Sequence, residues 1–460
     1  MNTKLGFKIL AMLGITLLIS ISLIMVRSLI NERSNRAQEV KNSLADKTAG
    51  PQIISGPYLV IPYIIEESFT QPANNANTDR KEYVLLLSPE QINNKSDLQL
   101  EIKKRGLFEA PTFKSNSVMT GYFRPSKELL ALKKLPANQK IIWQKAYLSL
   151  GLQDPKGIRQ ITATMGNSVL EFEPGHSINN WSKTSPGIHA NLTEGAEFFQ
   201  QILSQDQDFK INLDLVGSQS FLLDLAGTSS KIDITGNWPH PSYKGISPDS
   251  DSLSKLSFAA SWKTNSLAKG ISIQTCKTED SNCTEIKPTS SLVGLDLIDP
   301  VNRYVLSDRT AKYGELFLIL TFAILFLMEV LRKNPIHPMQ YALVGFATSV
   351  FFLLTLSLSE HISFYRAYGI AASASVALQG FYASAVLQSK KLALIFSSSL
   401  MALYGLLFFI LRSEDSALMV GSLLVFAMLA GFMMLTRNVN WYALSQSEKK
   451  ADTQANNIYL

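Results

Sequence analysis

The sequence predicts a membrane protein of α+β class, with an N-terminal transmembrane anchor, a large mostly-β extracytoplasmic region and a C-terminal five-helix transmembrane bundle. Three observations predict it. Apolar stretches near spanning length occur once at the start of the chain and five times towards its end. Charge lies between them: residues 27–313 carry 62 of the 80 Asp, Glu, Lys and Arg, whereas residues 314–436 carry 11 in 123 positions. Within the charged region, apolar and polar residues alternate with the period of two that half-buried strands require.

A spanning helix needs about 20 mostly apolar residues to cross about 30 Å of hydrocarbon. Phe7 to Val26, preceded by Lys4 and Lys8, meets that length. It is long for a signal-peptide core and lacks an Ala-x-Ala type cleavage site, so residues 1–26 read as a cytoplasmic N terminus and an uncleaved anchor. Residues 27–50 follow as a charged juxtamembrane helix, with Ile30, Ala37, Val40 and Leu44 on its apolar positions and a stop at Gly50-Pro51.

Residues 51–313 read as the β region. Expected strands cover 58–65, 83–87, 98–102, 141–150, 158–165, 169–172, 209–216, 221–225, 231–235 and 257–262. In the seventh, Ile211, Leu213 and Leu215 alternate with Lys210, Asn212 and Asp214. Asn74 to Thr78 and Pro248 to Lys255 read as exposed loops, and the whole as a sandwich-like domain or pair of domains.

The bundle occupies residues 314–436, with spans expected at 314–331, 339–358, 367–387, 392–411 and 417–435. Its connections are short, which forces an up-and-down arrangement. Residues 437–460 form a tail. Lys4, Lys8, Arg332, Lys333, Lys390, Lys391, Arg437, Lys449 and Lys450 fall on one side, and only Arg366 and Arg412 in the other short loops. The positive-inside rule therefore places both termini in the cytoplasm and residues 27–313 outside. Arg27, Arg33, Arg36, Lys41 and Lys47, just after the anchor, run against that rule.

Composition excludes a single soluble domain and a disordered chain, since neither tolerates so lopsided a distribution of charge. The net charge of +6 divides as +2 in residues 1–26, +2 in 27–313 and +2 in 314–460, so no region is basic enough to expect nucleic acid. Cys276 and Cys283 are the only cysteines. They close a small disulfide loop in an oxidising compartment or remain free thiols. Zinc would need two further ligands, and no histidine lies within 35 residues of them.

No P-loop, Gly-x-Ser-x-Gly, His-Glu-x-x-His or dinucleotide-binding fingerprint occurs, so no catalytic residue, metal site or cofactor is expected. The most unusual soluble segment is Asn237-Trp238-Pro239-His240-Pro241-Ser242-Tyr243, in which two prolines stiffen a loop carrying an aromatic and an imidazole. Trp238, His240 and Tyr243 are candidate binding residues; the simpler reading is a strand exit with Trp238 packed in the core. Asp308, Arg309, Lys312 and Tyr313 lead into the second span as candidates for coupling the outer region to the bundle. Glu315 and Glu329 lie 14 residues apart, within about 40° on one helix face. With Glu360 they are the candidate membrane or loop acids of an ion or proton pathway. Ala371 with Ser375, and Ala427 with Gly431, have the small-xxx-small spacing of close helix packing.

Several ordered segments carry a family resemblance. They are Glu32-Arg33, Gly50-Pro51-Gln52, Gly56-Pro57, Asn237 to Ser242, Asp308-Arg309 with Lys312-Tyr313, His337-Pro338-Met339-Gln340-Tyr341, Leu358-Ser359-Glu360-His361, Ser413 to Leu418 and Asn440-Trp441-Tyr442-Ala443-Leu444. Nearly end to end, the chain resembles the CreD family of bacterial inner-membrane proteins. The resemblance implies an envelope-integrity protein produced under a two-component system, linked to colicin tolerance and β-lactam response, without established catalytic residues. The cysteine pair is not part of that pattern. The expectation is thus a non-enzymatic inner-membrane protein whose periplasmic β region binds a periplasmic or cell-wall-associated partner, the bilayer being its other contact. The alternative is a transporter or lipid-handling protein.

Overall fold

The computed structural model describes residues 3–69, 77–125, 136, 139–175, 187–192, 195–265, 273–277, 292–297, 302–332, 335–412 and 417–437. The chain forms two compact units, residues 38–300 and residues 1–37 with 301–460.

The first unit is built on two sheets. The ten-stranded sheet follows the path β14 (Pro241–Gly245), β18 (Leu292–Leu297), β12 (Ser220–Asp224), β1 (Gln52–Phe69), β6 (Tyr147–Leu152), β10 (Gly187–Asn191) and β9 (Phe172–Pro174). β1 is its axis. One edge of β1 pairs first with β12 and then with β2 (Asn77–Leu87), which carries β17 (Ile273–Lys277). The other edge pairs first with β6 and then with β5 (Gln139–Trp143). The eight-stranded sheet runs β15 (Ser250–Leu253), β16 (Phe258–Thr264), β13 (Ser229–Gly236), β3 (Gln91–Arg105), β4 (Phe108–Phe123), β11 (Gln207–Ser218), β7 (Ile158–Met165) and β8 (Ser168–Leu170). Inward side chains of both sheets share one core: Leu59, Ile61 and Tyr63 of β1, Leu148 and Leu150 of β6, Ile211, Leu213 and Leu215 of β11, and Ile232, Ile234 and Trp262. The alternation expected for 209–216 is the observed one, extended at both ends.

Several features depart from expectation: β10, β14, β17 and β18 were not expected, and Asn77 and Thr78, expected in a loop, open β2 by pairing with Phe69 and Ser68. The strand expected over 141–150 is two, because Gln144 to Ala146 leave the ladder and β1 pairs separately with β5 and β6. Pro248 to Lys255 is not all loop. Its residues 250–253 form the edge strand β15, which the Ser-Asp-Ser sequence conceals because every side chain in it is exposed. β4, unforeseen, pairs along its length with β3 and with β11. Its Lys-Ser-Asn-Ser stretch hides the alternation, since the inward positions are Ser115 and Ser117; these bond each other at 2.9 Å, and Ser117 meets Ser96 at 2.8 Å. A helix, α2 (Gly195–Ser204), also lies in this region; Phe198, Phe199 and Ile202 are buried, with Phe199 stacked on Trp143 at 3.9 Å between centroids.

The second unit is helical. Anchor and juxtamembrane segment are one continuous helix, α1 (Thr3–Lys47), whose last ten residues fall in the β unit. Within the helical unit, Ile19, Leu23, Val26 and Ile30 form its buried seam at spacings of four, three and four. Leu10, Leu13, Leu17, Ile24 and Met25 are exposed. The remaining helices are α3 (Arg303–Lys312), α4 (Gly314–Arg332), α5 (Pro338–Ser359), α6 (Phe364–Val386), α7 (Lys390–Arg412) and α8 (Ala417–Thr436). α3 and α4 meet at a 46° bend. α1 packs closely on α5, where a side chain at Gly345 would collide with Ile19 and Phe322, and Ser22 bonds Ser349 at 2.9 Å. Of the small-residue pairs, Ala371 and Ser375 are buried, whereas Ala427 is exposed.

Candidate functional site

Charged side chains from three helical elements meet at one end of the helical unit. Arg27 Nε of α1 donates to Asp308 Oδ1 at 3.3 Å, and Lys312 Nζ lies 3.0 Å from Asp308 Oδ2, one helical turn away on α3. Arg33 Nε faces Glu360 Oε1 at 3.8 Å. Arg303 Nη1 donates to the carbonyls of Ser359 and Glu360 at 3.2 and 2.9 Å, so α3 grips the α5–α6 turn. α3 starts where Asn302 accepts from the Tyr304 amide, and ends at Tyr313, which caps the helix at the bend. Arg309 is half-buried within it.

The structure thus joins Asp308, Lys312 and Glu360 in one lattice with Arg27, Arg33 and Arg303, which sequence reasoning did not select. The signal was present in Arg27 and Arg33, two of the basic residues that run against the orientation expected from the sequence. Glu360→Gln is expected to cost about 1–2 kcal/mol of stability, between exposed and buried ion pairs, and Arg27→Gln less than about 1 kcal/mol because that pair is half exposed. Thermal unfolding of the full-length protein in nanodiscs checks both, and the charge-swapped pair Arg33→Glu with Glu360→Arg recovers part of the loss.

Glu329 sits at the far end of α4. Its carboxylate is buried, accepting from Tyr341 Oη at 2.7 Å and from the Ile336 amide at 3.1 Å. Beside it, His337 and Gln340 make a reciprocal cap at the start of α5. Glu315 is exposed at the opposite end of α4. The three candidate acids are therefore in different settings, and no line of side chains joins them among the described residues.

In the β unit, Asn237 uses its amide as a strand would, accepting from Leu100 N at 2.6 Å and donating to Leu100 O at 3.3 Å. Trp238 packs on the core while its Nε1 donates to His240 O at 2.9 Å, closing the turn around Pro239. Tyr243 packs edge-on against Trp262; burial, then the charge of Asp251, raises its hydroxyl above the usual range. His240 is exposed. Cys276 lies in β17 opposite Val84, and Cys283 lies outside the described residues, as does the pairing expected between them.

A buried acid escaped the sequence reading. Tyr58 Oη donates to Asp224 Oδ2 at 2.5 Å on the face of the ten-stranded sheet away from the shared core, beside Val60, Leu86 and Tyr147. Burial, reinforced by the Asp224 charge, raises the phenol well above its ordinary range. The available signal was an Asp closing the apolar run Phe221 to Leu223. On the same face His189 Nδ1 meets Gly175 O at 2.7 Å and Nε2 faces Glu173 at 3.7 Å. Among the described residues, no three His, Cys, Asp or Glu side chains converge to hold a metal.

The model of the family described as inner membrane protein CreD matches residues 4–442. The chain belongs to the CreD family. Inner membrane protein CreD of Escherichia coli (strain K12) is 30% identical over 459 residues, covering 99% of this chain and 97% of that protein. Among solved structures, the Salmonella SPI-1 type III secretion injectisome secretin InvG is aligned over 59% of this chain and 67% of its own at 10% identity, but a TM-score of 0.08 carries no structural argument.

Membership makes this a multi-pass inner-membrane protein. Among the described residues, α1, α5, α6 and α7 are each long and apolar enough to cross a bilayer, and α3 with α4 makes a fifth if the bent pair is one span; six were expected. The CreD-like segments also acquire physical roles. Gly50-Pro51-Gln52 seats the end of α1 in the β unit: Gly50 N donates to Asp154 Oδ2 at 2.9 Å, Gly50 O accepts from Ser218 N at 3.0 Å, and Gln52 Nε2 reaches Asp154 O and Val216 O. His337 to Tyr341 supplies the α5 cap and the Glu329 bond, and Ser359-Glu360 is the turn that Arg303 grips.

Proposed function

We propose that this CreD-family protein is a non-enzymatic component of envelope integrity and stress response, with both termini in the cytoplasm and residues 27–313 in the periplasm. Its β unit binds a periplasmic or wall-associated partner, and its helical unit anchors and relays the bound state. The supporting observation is the lattice. The backbone passes between the units only twice, at residues 37–38 within α1 and at 300–301 just before α3, and Arg27–Asp308 ties those two helices to each other. A pull on either passage is shared by the other.

The test is a photocrosslinking residue at His240, an exposed position, in the full-length protein in living cells under envelope stress. The expected result is a stress-dependent adduct with an envelope component. Absence of any adduct there and at further exposed β-unit positions overturns the binding role. A phosphatase reporter at residue 150 reads the orientation separately and should be active.

One observation favours a second reading, a transporter or lipid-handling protein: the buried carboxylate of Glu329 among apolar helices. In that case Glu329→Gln abolishes the envelope phenotype while stability and protein level hold.

A further inference from the structure

A chain of polar side chains runs through the seam between α6 and α7. Tyr368 Oη donates to the Tyr404 carbonyl at 2.7 Å, the Tyr404 hydroxyl meets Ser375 Oγ at 3.0 Å, and Gln379 Nε2 donates to Ser375 Oγ at 2.9 Å. The surroundings are apolar: the Phe317 and Phe351 rings lie 4.7 and 4.5 Å from the Tyr404 ring. Gln379 is 1% exposed, and its Oε1 meets no donor.

Turning the amide over does not solve this. The oxygen then faces Ser375 and the two N–H donors are left open instead. An orphaned polar group in a membrane interior costs several kcal/mol, so such groups are satisfied. The neighbouring backbone is already engaged in the α6 helix, and at Gly380, one residue on, α7 comes so close that a side chain there would collide with Ser397. The missing partner must be small, neutral and able to donate or accept.

We infer that Gln379, with Ser375 and Tyr404, holds an internal water molecule in the α6–α7 seam. The water completes the chain from Tyr368 to Gln379.

Hydroxyl-radical footprinting of the full-length protein in nanodiscs tests this, because radicals formed from a bound water oxidise the side chains beside it. Tyr404, 1% exposed, should be oxidised in the wild type, as should Tyr365, which is 37% exposed and serves as the reference. In Gln379→Leu the Tyr404 oxidation should be lost while that of Tyr365 is retained. Gln379→Met is the substitute if the leucine variant does not fold. An unmodified Tyr404 in the wild type, or equal oxidation in wild type and a folded variant, overturns the inference.

Discussion

Glu329→Ala should destabilise the helical unit by about 2–5 kcal/mol, because two buried donors lose their acceptor at about 1–3 kcal/mol each. Three groups change state at once. The Tyr341 hydroxyl, on a fully buried ring, loses the acceptor at 2.7 Å, the Ile336 amide loses the acceptor at 3.1 Å, and the volume of the side chain is vacated. Tyr341→Phe tests the same bond from the other side. It removes one donor from a carboxylate that stays buried, so the expected loss is about 1.5–3 kcal/mol, typical of a hydrogen bond to a charged group. The double variant should cost less than the sum of the singles, since the two share the interaction. Unfolding of the purified full-length protein in nanodiscs measures all three. A Glu329→Ala protein as stable as the wild type would show that the carboxylate has no structural duty.

Gly217→Val is expected to cost at least about 3 kcal/mol in the β unit, at the upper end of overpacking effects. A side chain at Gly217 would meet the Phe113 ring and Gln52 Cγ, and one at Gly157 would meet the Val216 carbonyl and Gln52 Nε2. Both glycines thus press on Gln52, which is fully buried and holds the start of β1. Phe113 is itself locked edge-on against Phe221 at 5.5 Å, and the Val216 carbonyl is backbone, so neither yields. Gly157→Ala should show a similar loss for that reason. Gly14→Ala is the control, since no atom lies within 4 Å of the added carbon; helix propensity predicts no loss and a gain of up to about 1 kcal/mol. Proteolysis of the full-length protein, read as the fraction cut within residues 38–300 against denaturant, should rise for the Gly217 and Gly157 variants and stay at the wild-type level for Gly14→Ala, which lies in the other unit.

The fold was legible wherever pattern and period agreed. Ile211, Leu213 and Leu215 announce their strand, and the apolar runs announce the helices. β4 was hidden because its inward Ser115 and Ser117 carry no hydrophobic signal; they bond each other, and Ser117 also meets Ser96 across the ladder. α2 was hidden because ten residues inside a β region gave too short a window for a helical period to stand out. The unity of α1 was missed because its composition changes at Arg27 while its backbone does not.

The candidate sites were half legible. Individual acids stand out in a sequence, but their partners are set by folding: Asp308 finds Arg27 across 281 residues and Tyr58 finds Asp224 across 166. Glu315 and Glu329 share a helix face, as the 14-residue spacing implies, yet one is exposed and the other enclosed, which depends on what packs against each end of α4. The segment from Asn237 to Tyr243 was recognisable by its composition. Its observed bonds are mainly those of a strand exit, with Asn237 extending the ladder and Trp238 closing the turn.

Asp308 engages two cations with its two oxygens, Arg27 through Oδ1 and Lys312 through Oδ2. The carboxylate is therefore a branch point, and the tie between α1 and α3 is thermodynamically linked to the internal pairing of α3. Losing one cation leaves the other a stronger partner, so each single substitution at Arg27 or Lys312 is cushioned and the two together cost more than their sum. The trio keeps one uncompensated positive charge with both cations about half exposed. Its cohesion consequently weakens as ionic strength rises, over a screening distance of about 8 Å in physiological salt.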